Sequence, residues 1–133
     1  VLSDAARHEL NVLLRAVDEI VDMTFQAFRD DDLEKAYRVE PLEQVIDDLK
    51  EKMRIHHILR MQQGSCSIES GFVWSDLLTA LERVGDHCSN IAVAIIELES
   101  DSFDTHEYLN SVRAMKSSSF ARYYEEYKQE YHL

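Results

Sequence analysis

The stretch WSDLLTALERVGDHCSNIAVAIIEL, Trp74 to Leu98, decides the fold of this chain. Its apolar residues recur every three or four positions, which is the spacing that places them on one face of an α-helix. The stretch therefore predicts a long helix from about Gly71 to Glu99. The residues predicted to face the core are Trp74, Leu77, Leu78, Leu81, Val84, Cys88, Ile91, Ile95 and Leu98.

Two earlier helices are predicted by the same periodicity. The first runs from about Asp4 to Arg29. The second follows the acidic break at residues 30–32 and continues to about Gln63. It contains Pro41, which lacks a backbone N–H and is expected to kink or restart the helix. The Gly- and Ser-rich stretch GSCSIESG then predicts the loop that leads into the third helix.

A fourth helix is predicted from about Thr105 to Tyr131. No segment of the chain shows sustained period-2 alternation, so we predict an all-α fold. The expected architecture is an antiparallel three-helix bundle over about residues 4–99 with an additional C-terminal helix over about 105–131, forming a single domain over residues 1–133. The stripe expected on the fourth helix is Tyr108, Val112, Met115, Tyr123, Tyr127 and Tyr131.

The composition excludes several kinds of partner. The chain has 26 Asp and Glu against 14 Lys and Arg, a formal charge of −12. Such a surface repels nucleic acids and anionic membranes, and it attracts cations or a basic partner. The longest charge-free run, His87 to Ile96, is about half of the roughly 20 residues that span a bilayer. We therefore expect no nucleic-acid partner and no insertion of this segment into a membrane.

Three of the predicted helices each carry two acidic residues spaced four apart, which places both carboxylates on one helix face. The pairs are Asp18 and Asp22, Glu43 and Asp47, and Glu82 and Asp86. Aligned in a bundle, they would form a patch of oxygen donors suited to Mg²⁺, Mn²⁺ or iron. The alternative is that an acidic helical protein has such pairs by chance, each simply solvated. Lys50, seven residues after Glu43, offers local neutralisation.

Gly85 interrupts the third helix between two of these acids. Glycine inside a helix costs about 0.5–1 kcal/mol relative to alanine. Because Gly85 lies close to the core direction, it predicts the close approach of another helix backbone. Glu82 is expected on the flank of the core stripe, and Asp86 and then Asn90 are expected further toward solvent, so the acids belong to the exposed side.

The chain lacks the features of an enzyme. A ferritin-like di-iron centre needs Glu-x-x-His motifs, and none of the six histidines has an acidic residue three positions before it. His56 falls on the apolar stripe of the second helix and is predicted to be a hydrogen-bonded core residue. Cys88 falls on a core stripe, where a thiol is usually inert. We therefore expect no catalytic residues.

The string ERVGDHCSNIA, Glu82 to Ala92, closely resembles the ERIGDHxxNIA signature of PhoU-like domains. The string LEQVIDDL, Leu42 to Leu49, is similar to the second-helix motif of the same family. The resemblance implies Glu43, Asp47, Glu82 and Asp86 as ligands of a cluster of divalent or iron ions. Asp18, Asp22 and Asn90 are weaker candidates and lie outside the carried-over motif.

A longer stretch, HILRMQQGSCSIESGFVWSDLLTALERVGDHCSNIA, resembles the PhoU-like tail of bacterial, type II-related Na⁺/phosphate cotransporters. The resemblance implies a cytoplasmic regulatory domain on a plasma-membrane protein, with the transmembrane portion of that cotransporter as partner. The free-standing regulator of the family has two sets of acidic motifs and this chain has one, so a complete metal cluster either needs a second chain, as in the expected homo-oligomer, or never forms. The alternatives are a free-standing PhoU-like regulator of phosphate uptake and a plain dimerisation bundle without ligand.

Overall fold

The computed structural model describes residues 2–102 and 119–133, of which residues 100–102 are described only as part of a helix. Three long helices follow one another as α1 (Asp4–Asp30), α2 (Leu33–Gln62) and α3 (Ile68–Ser102). A further helical segment, α4, covers residues 119–130. No strand occurs in the described part of the chain, so the predicted all-α fold class is confirmed.

Side chains cap the starts of the long helices. The Ser3 hydroxyl accepts a hydrogen bond from the Ala6 N–H at 3.1 Å, and the Asp32 carboxylate accepts one from Lys35 at 3.2 Å. The third helix begins three residues before its predicted start, because the Ser67 hydroxyl accepts from the Ser70 N–H at 3.1 Å. Each cap satisfies backbone donors that a helix leaves unpaired at its first turn.

Helix α2 continues through Pro41 without the restart that the sequence predicts. Pro41 is buried, and its neighbours Val39 and Leu42 are fully inaccessible to solvent. Burying a side chain of this size contributes about 1.5–3 kcal/mol. Several such side chains around the proline offset the roughly 3 kcal/mol that proline costs inside a helix.

The three long helices pack against one another in every pairwise combination. Helix α2 runs opposite to α3, since Lys50 in its middle contacts Glu82 while His57 near its end lies against Gly71. The core between the helices is built from Leu13, Ile20, Leu42, Ile46, Met53 and Leu78. Among the described residues, no helix is both long and apolar enough to cross a membrane.

The predicted inward face of α3 is right at Cys88 and Ile95 and wrong at Ile91 and Leu98. Ile91 and Leu98 are 44% and 65% exposed, whereas Trp74 and Leu78 are buried. A straight α-helix drifts by about 20° per heptad relative to a seven-residue repeat. The row Val84, Ile91 and Leu98, spaced seven apart, therefore rotates out of the core along α3. Ala92 lies inward beside the predicted Ile95.

The buried histidine of α2 is His57 and not the predicted His56. His57 is buried and stacks on the Trp74 ring, and burial lowers its pKa. His56 is half exposed, and its Nδ1 lies 3.0 Å from Glu9 Oε1. The prediction of His56 as a core residue is wrong by one position, because one residue shifts a side chain about 100° around the helix.

Helix α4 packs against α1 and α2 through tyrosines. Tyr123, Tyr127 and Tyr131 are buried, the Tyr124 hydroxyl donates to Asp48, and the Tyr131 hydroxyl donates to Glu19. The tyrosine stripe thus packs on its own bundle in this part of the chain. The predicted stripe positions Tyr108, Val112 and Met115 lie outside the described residues.

Candidate functional site: an acidic cluster between α2 and α3

Helices α2 and α3 bring together four of the predicted acidic residues, which we call the acidic cluster: Glu43, Asp47, Glu82 and Asp86. Glu43 hydrogen-bonds with both Asp47 and Asp86, so the cluster joins the two helices. Three of the four side chains are half-buried and only Asp86 is exposed. This agrees with the expected position of Glu82 on the flank of the core stripe and of Asp86 further toward solvent.

The Glu43 side chain packs against Gly85. The atoms nearest to Gly85 from α2 belong to side chains and not to the helix backbone. A Cβ atom added to Gly85 would stand 3.7 Å from Glu43 Cγ and 3.9 Å from Ile46 Cγ2, which are ordinary van der Waals distances. The predicted close backbone approach at Gly85 is thus wrong. The tight glycine is Gly71, where a Cβ would come within 2.9 Å of His57 Nε2.

The Glu43 carboxyl holds a proton near neutral pH. Burial first, then the negative charge of Asp47 and the hydrogen bond to Asp86, together raise its pKa from 4.5 to about 8. Burial also raises the pKa of Asp47, and the nearby Lys50 ammonium opposes that rise. Protonated Glu43 can donate a hydrogen bond to a neighbouring carboxylate, which reduces the repulsion within the cluster.

Lys50 supplies the positive charge of the acidic cluster. It is buried, and its Nζ lies 2.7 Å from Glu82 Oε1 and 3.9 Å from Asp47 Oδ1. Arg54 approaches Glu82 from the other side, with Nη2 3.9 Å from Oε2. The charge of Glu82 is therefore paired with cations of the protein itself, whereas the Glu43 carboxyl, whose pKa is raised, hydrogen-bonds with Asp47 and Asp86.

The burial of Lys50 is not among the sequence-based predictions. Lys50 was expected to screen Glu43 locally, whereas its ammonium contacts Glu82 of the next helix. The seven-residue spacing from Glu43 to Lys50 was the available signal, because residues seven apart share a helix face. The face of α2 that places Glu43 against α3 also places Lys50 against α3.

The weaker candidate metal ligands, Asp18, Asp22 and Asn90, lie outside the acidic cluster. Asp18 and Asp22 line a cleft of about 680 Å³ formed by α1, the start of α2 and α4, together with Arg15, Lys35 and Arg38. The predicted alignment of three acidic pairs is therefore wrong: two pairs meet and the α1 pair faces elsewhere. Asn90 is exposed one turn beyond Asp86 on α3.

The chemistry of the acidic cluster suits a hard cation, although its side chains are arranged around a proton. Carboxylate oxygens are the donors that Mg²⁺, Mn²⁺ and Ca²⁺ prefer. Within the described part of the chain, no three or more His, Cys, Asp or Glu side chains stand in the arrangement of a metal site. A cation would therefore have to displace the proton held by Glu43.

Comparison with known proteins shows a family match over the residues of the acidic cluster. Residues 10–95 match the PhoU domain family, and this range contains every residue of the cluster. The chain is similar to the phosphate-specific transport system accessory protein PhoU homolog 1 of Thermotoga maritima (strain MSB8), with 30% identity over 106 residues. The alignment covers 80% of this chain and 45% of that protein, so the chain spans about half the length of this curated relative.

No solved structure matches the chain significantly. The match over residues 10–95 includes most of α1, all of α2 and most of α3, together with the two acidic motifs that face each other across the α2–α3 contact. The chain belongs to the PhoU domain family.

Proposed function

We propose that this chain is a regulatory module of phosphate transport that works by binding rather than by catalysis. Membership of the PhoU domain family carries the proposal, and the similar Thermotoga protein is named as an accessory protein of a phosphate-specific transport system. The proposed architecture is an antiparallel three-helix PhoU-like bundle to which α4 is added. A non-catalytic role is supported by Cys88, which is buried, and whose pKa burial raises.

Two settings for this module are proposed. In the first, the chain acts as a free-standing accessory protein, and the similarity to an accessory protein supports this setting. In the second, it is the cytoplasmic tail of a Na⁺/phosphate cotransporter and contacts the transmembrane portion, which rests on the resemblance of residues 57–92 alone. Hydrophobic spans encoded upstream of Val1 would establish the second setting, and a coding region without them would leave the first.

The proposed role in phosphate transport is tested in a bacterial host that lacks its own accessory protein. Expression of this chain should restore the regulation of phosphate uptake, measured with radiolabelled phosphate in phosphate-rich and phosphate-poor medium. A double variant, Asp47→Asn with Asp86→Asn, should restore less if the acidic cluster takes part. Uptake that is the same with and without the chain would refute the proposal for the free-standing setting.

The proposed ligand of the acidic cluster is a divalent cation or iron held by Glu43, Asp47 and Asp86, with Glu82 remaining paired to Lys50. Three carboxylates close together repel, and a bound cation would remove that repulsion and so stiffen the contact between α2 and α3. Because metal ligands must be deprotonated, binding would release the proton of Glu43. The cluster would then exchange a proton for a metal ion.

Calorimetric titration with Mn²⁺ and Mg²⁺ at pH 7 tests this exchange. The binding heat should vary with the ionisation enthalpy of the buffer in proportion to about one released proton. Glu43→Gln with Asp86→Asn should abolish the heat, and Asp18→Asn with Asp22→Asn is the matched control on the α1 face. Equal metal binding in both double variants, or none in the wild type, would remove the cation site and leave the family assignment untouched.

A further inference from the structure

The three long helices meet at one end of the bundle, away from the acidic cluster. Glu9 near the start of α1 contacts Arg60 near the end of α2, with Oε1 3.0 Å from Nη1. Helix α3 begins at the same end, since Gly71 in its first turn lies against His57 of α2. From Asp47 of the acidic cluster to Arg60 is about 20 Å along α2, at about 1.5 Å per residue.

A cavity of about 240 Å³ lies at this end, between the starts of α1 and α3 and the end of α2. We call it the serine cavity, after its lining by Ser3, Ser65, Ser67 and Ser70 together with Arg60 and Trp74. At about 30 Å³ per water molecule, it has room for a small polyatomic ion and several waters.

The serine cavity is set apart by its charge. Among the described residues, no aspartate or glutamate lines it, in a chain that has 26 acidic residues. Asp4 and Glu69, in the first turns of α1 and α3, are exposed and lie outside the lining. Arg60 is the lining residue that carries a positive charge. An anion in the cavity would therefore meet no carboxylate of the lining.

Two buried N–H donors of the lining have no acceptor in the described part of the chain. Trp74 is only 2% exposed, and its indole Nε1 has no hydrogen-bond partner there. The Arg60 side chain is 14% exposed; its Nη1 pairs with Glu9, whereas its Nη2 is buried without a partner. The two donors are neighbours, since the guanidinium carbon lies 5.6 Å from the centroid of the Trp74 ring. Because buried donors in folded proteins are nearly always paired, these two indicate a ligand that accepts hydrogen bonds.

The N-terminal ends of α1 and α3 add further donors to the serine cavity. Ser3 and Ser67, which stand immediately before these helices, both line it. A helix N-terminus presents unpaired backbone N–H groups and about half a positive charge. The Ser3 hydroxyl accepts from the Ala6 N–H, and the Ser70 hydroxyl accepts from the Ser67 hydroxyl at 2.9 Å. Within the described residues neither Ser3 nor Ser70 donates through its hydroxyl, so both hydroxyl hydrogens remain available to a ligand.

We propose that the serine cavity binds a small tetrahedral oxyanion, and that this ion is inorganic phosphate. The choice of phosphate among such ions rests on the proposed role in phosphate transport. Guanidinium groups, hydroxyls and helix N-termini are the donors that bind phosphate oxygens in proteins. Four oxygens can accept from donors of all three helices, whereas the two oxygens of a carboxylate reach fewer of them.

The net charge of −12 does not prevent this binding. At physiological ionic strength, exposed charges more than about 8 Å away are largely screened, so the local donors decide whether an anion binds. Because these donors come from α1, α2 and α3, bound phosphate would connect the three helices at this end of the bundle. The phosphate concentration would then set how firmly the helix ends are held together.

An NMR titration of the full chain with phosphate tests the site directly. Trp74 is the single tryptophan, so its indole N–H gives one side-chain signal that reports on the serine cavity. This signal should shift downfield and saturate by about 20 mM phosphate, which fills more than nine-tenths of a site with a dissociation constant near 1 mM. EDTA in the buffer keeps metal ions at the acidic cluster from contributing. Sulfate, which has the same shape, should compete, and sodium chloride at equal ionic strength should leave the signal in place.

A variant that keeps the fold and fills the cavity with negative charge gives the second test. Ser70→Glu places an acid in the first turn of α3, three residues after Ser67, where a glutamate favours the helix start. Its carboxylate should weaken phosphate binding at least about tenfold by like-charge repulsion. Ser75→Glu is the matched control, because Ser75 is exposed on the same helix and lies outside the cavity lining, and it should bind as the wild type does.

The outcomes separate this site from the proposed function. A Trp74 signal that phosphate does not move, that chloride moves equally, or that responds alike in Ser70→Glu and the wild type would overturn the phosphate site. If the same chain restored regulated uptake, the role in phosphate transport would stand without the site. A saturable shift that is lost in Ser70→Glu and kept in Ser75→Glu supports the site, even where the uptake assay refutes the transport role.

Discussion

Replacing Glu43 with glutamine should remove a pH-dependent weakness of the fold. The pKa of Glu43 is about 8 in the folded chain against 4.5 without the burial and contacts of the cluster. Between these two pH values the folded state holds a proton that the unfolded state has lost. The contribution of Glu43 to the free energy of unfolding is therefore fully present below pH 4.5 and is lost as the pH rises from 4.5 through 8.

The magnitude follows from the same pKa. At about 1.4 kcal/mol per pKa unit, the full difference corresponds to about 5 kcal/mol. The Glu43 side chain is only half-buried, and solvent screening reduces this to roughly 1–2 kcal/mol. The Glu43→Gln amide donates hydrogen bonds to Asp47 and Asp86 at every pH, as the protonated acid does. The variant should match the wild type near pH 5 and be more stable by about 1–2 kcal/mol at pH 9.

Urea unfolding at pH values from 5 to 9, followed by circular dichroism, measures the free energy of unfolding of both proteins. In thermal unfolding at pH 9, the melting temperature of Glu43→Gln should be about 4–8 °C above that of the wild type, since a chain of this size shifts by about 4 °C per kcal/mol. Glu97→Gln, at an exposed position on α3, is the control and should follow the wild-type curve. The reasoning is refuted if Glu43→Gln and the wild type lose stability in parallel from pH 5 to 9.

Three further predictions concern stability, each measured by urea unfolding at pH 7. Gly85→Ala should stabilise the fold by about 0.5–1 kcal/mol, because the added methyl group meets only ordinary contacts. Gly71→Ala should destabilise it by about 1 kcal/mol through overpacking against His57. If both variants changed the free energy of unfolding in the same direction, these contacts would be contradicted. Lys50→Met should cost about 3 kcal/mol by leaving Glu82 without its ammonium, and adding Glu82→Leu should recover most of that loss. Tyr131→Phe should cost about 1 kcal/mol by removing its hydrogen bond to Glu19, and an unchanged free energy of unfolding would show that this hydrogen bond does not stabilise the fold.

The helical class and the helix positions could be predicted because they depend on local periodicity. The start of α1 at Asp4 and the long run of α3 follow from apolar spacing and capping residues that are visible in the sequence. The possible restart at Pro41 does not occur, since burial of the surrounding side chains keeps α2 continuous. The faces of Ile91 and Leu98 were predicted wrongly, since the drift of a straight helix decides them.

The sequence by itself determined the helices, the family and the pairing of acids within α2 and within α3, because each rests on residues within a few turns of one another. Only the tertiary structure decided that Glu43 meets Asp86, that Lys50 pairs with Glu82 and that Asp18 and Asp22 face another cleft. Spacing along one helix fixes which residues share a face. Which face meets which neighbour depends on how all the helices bury their apolar surface together.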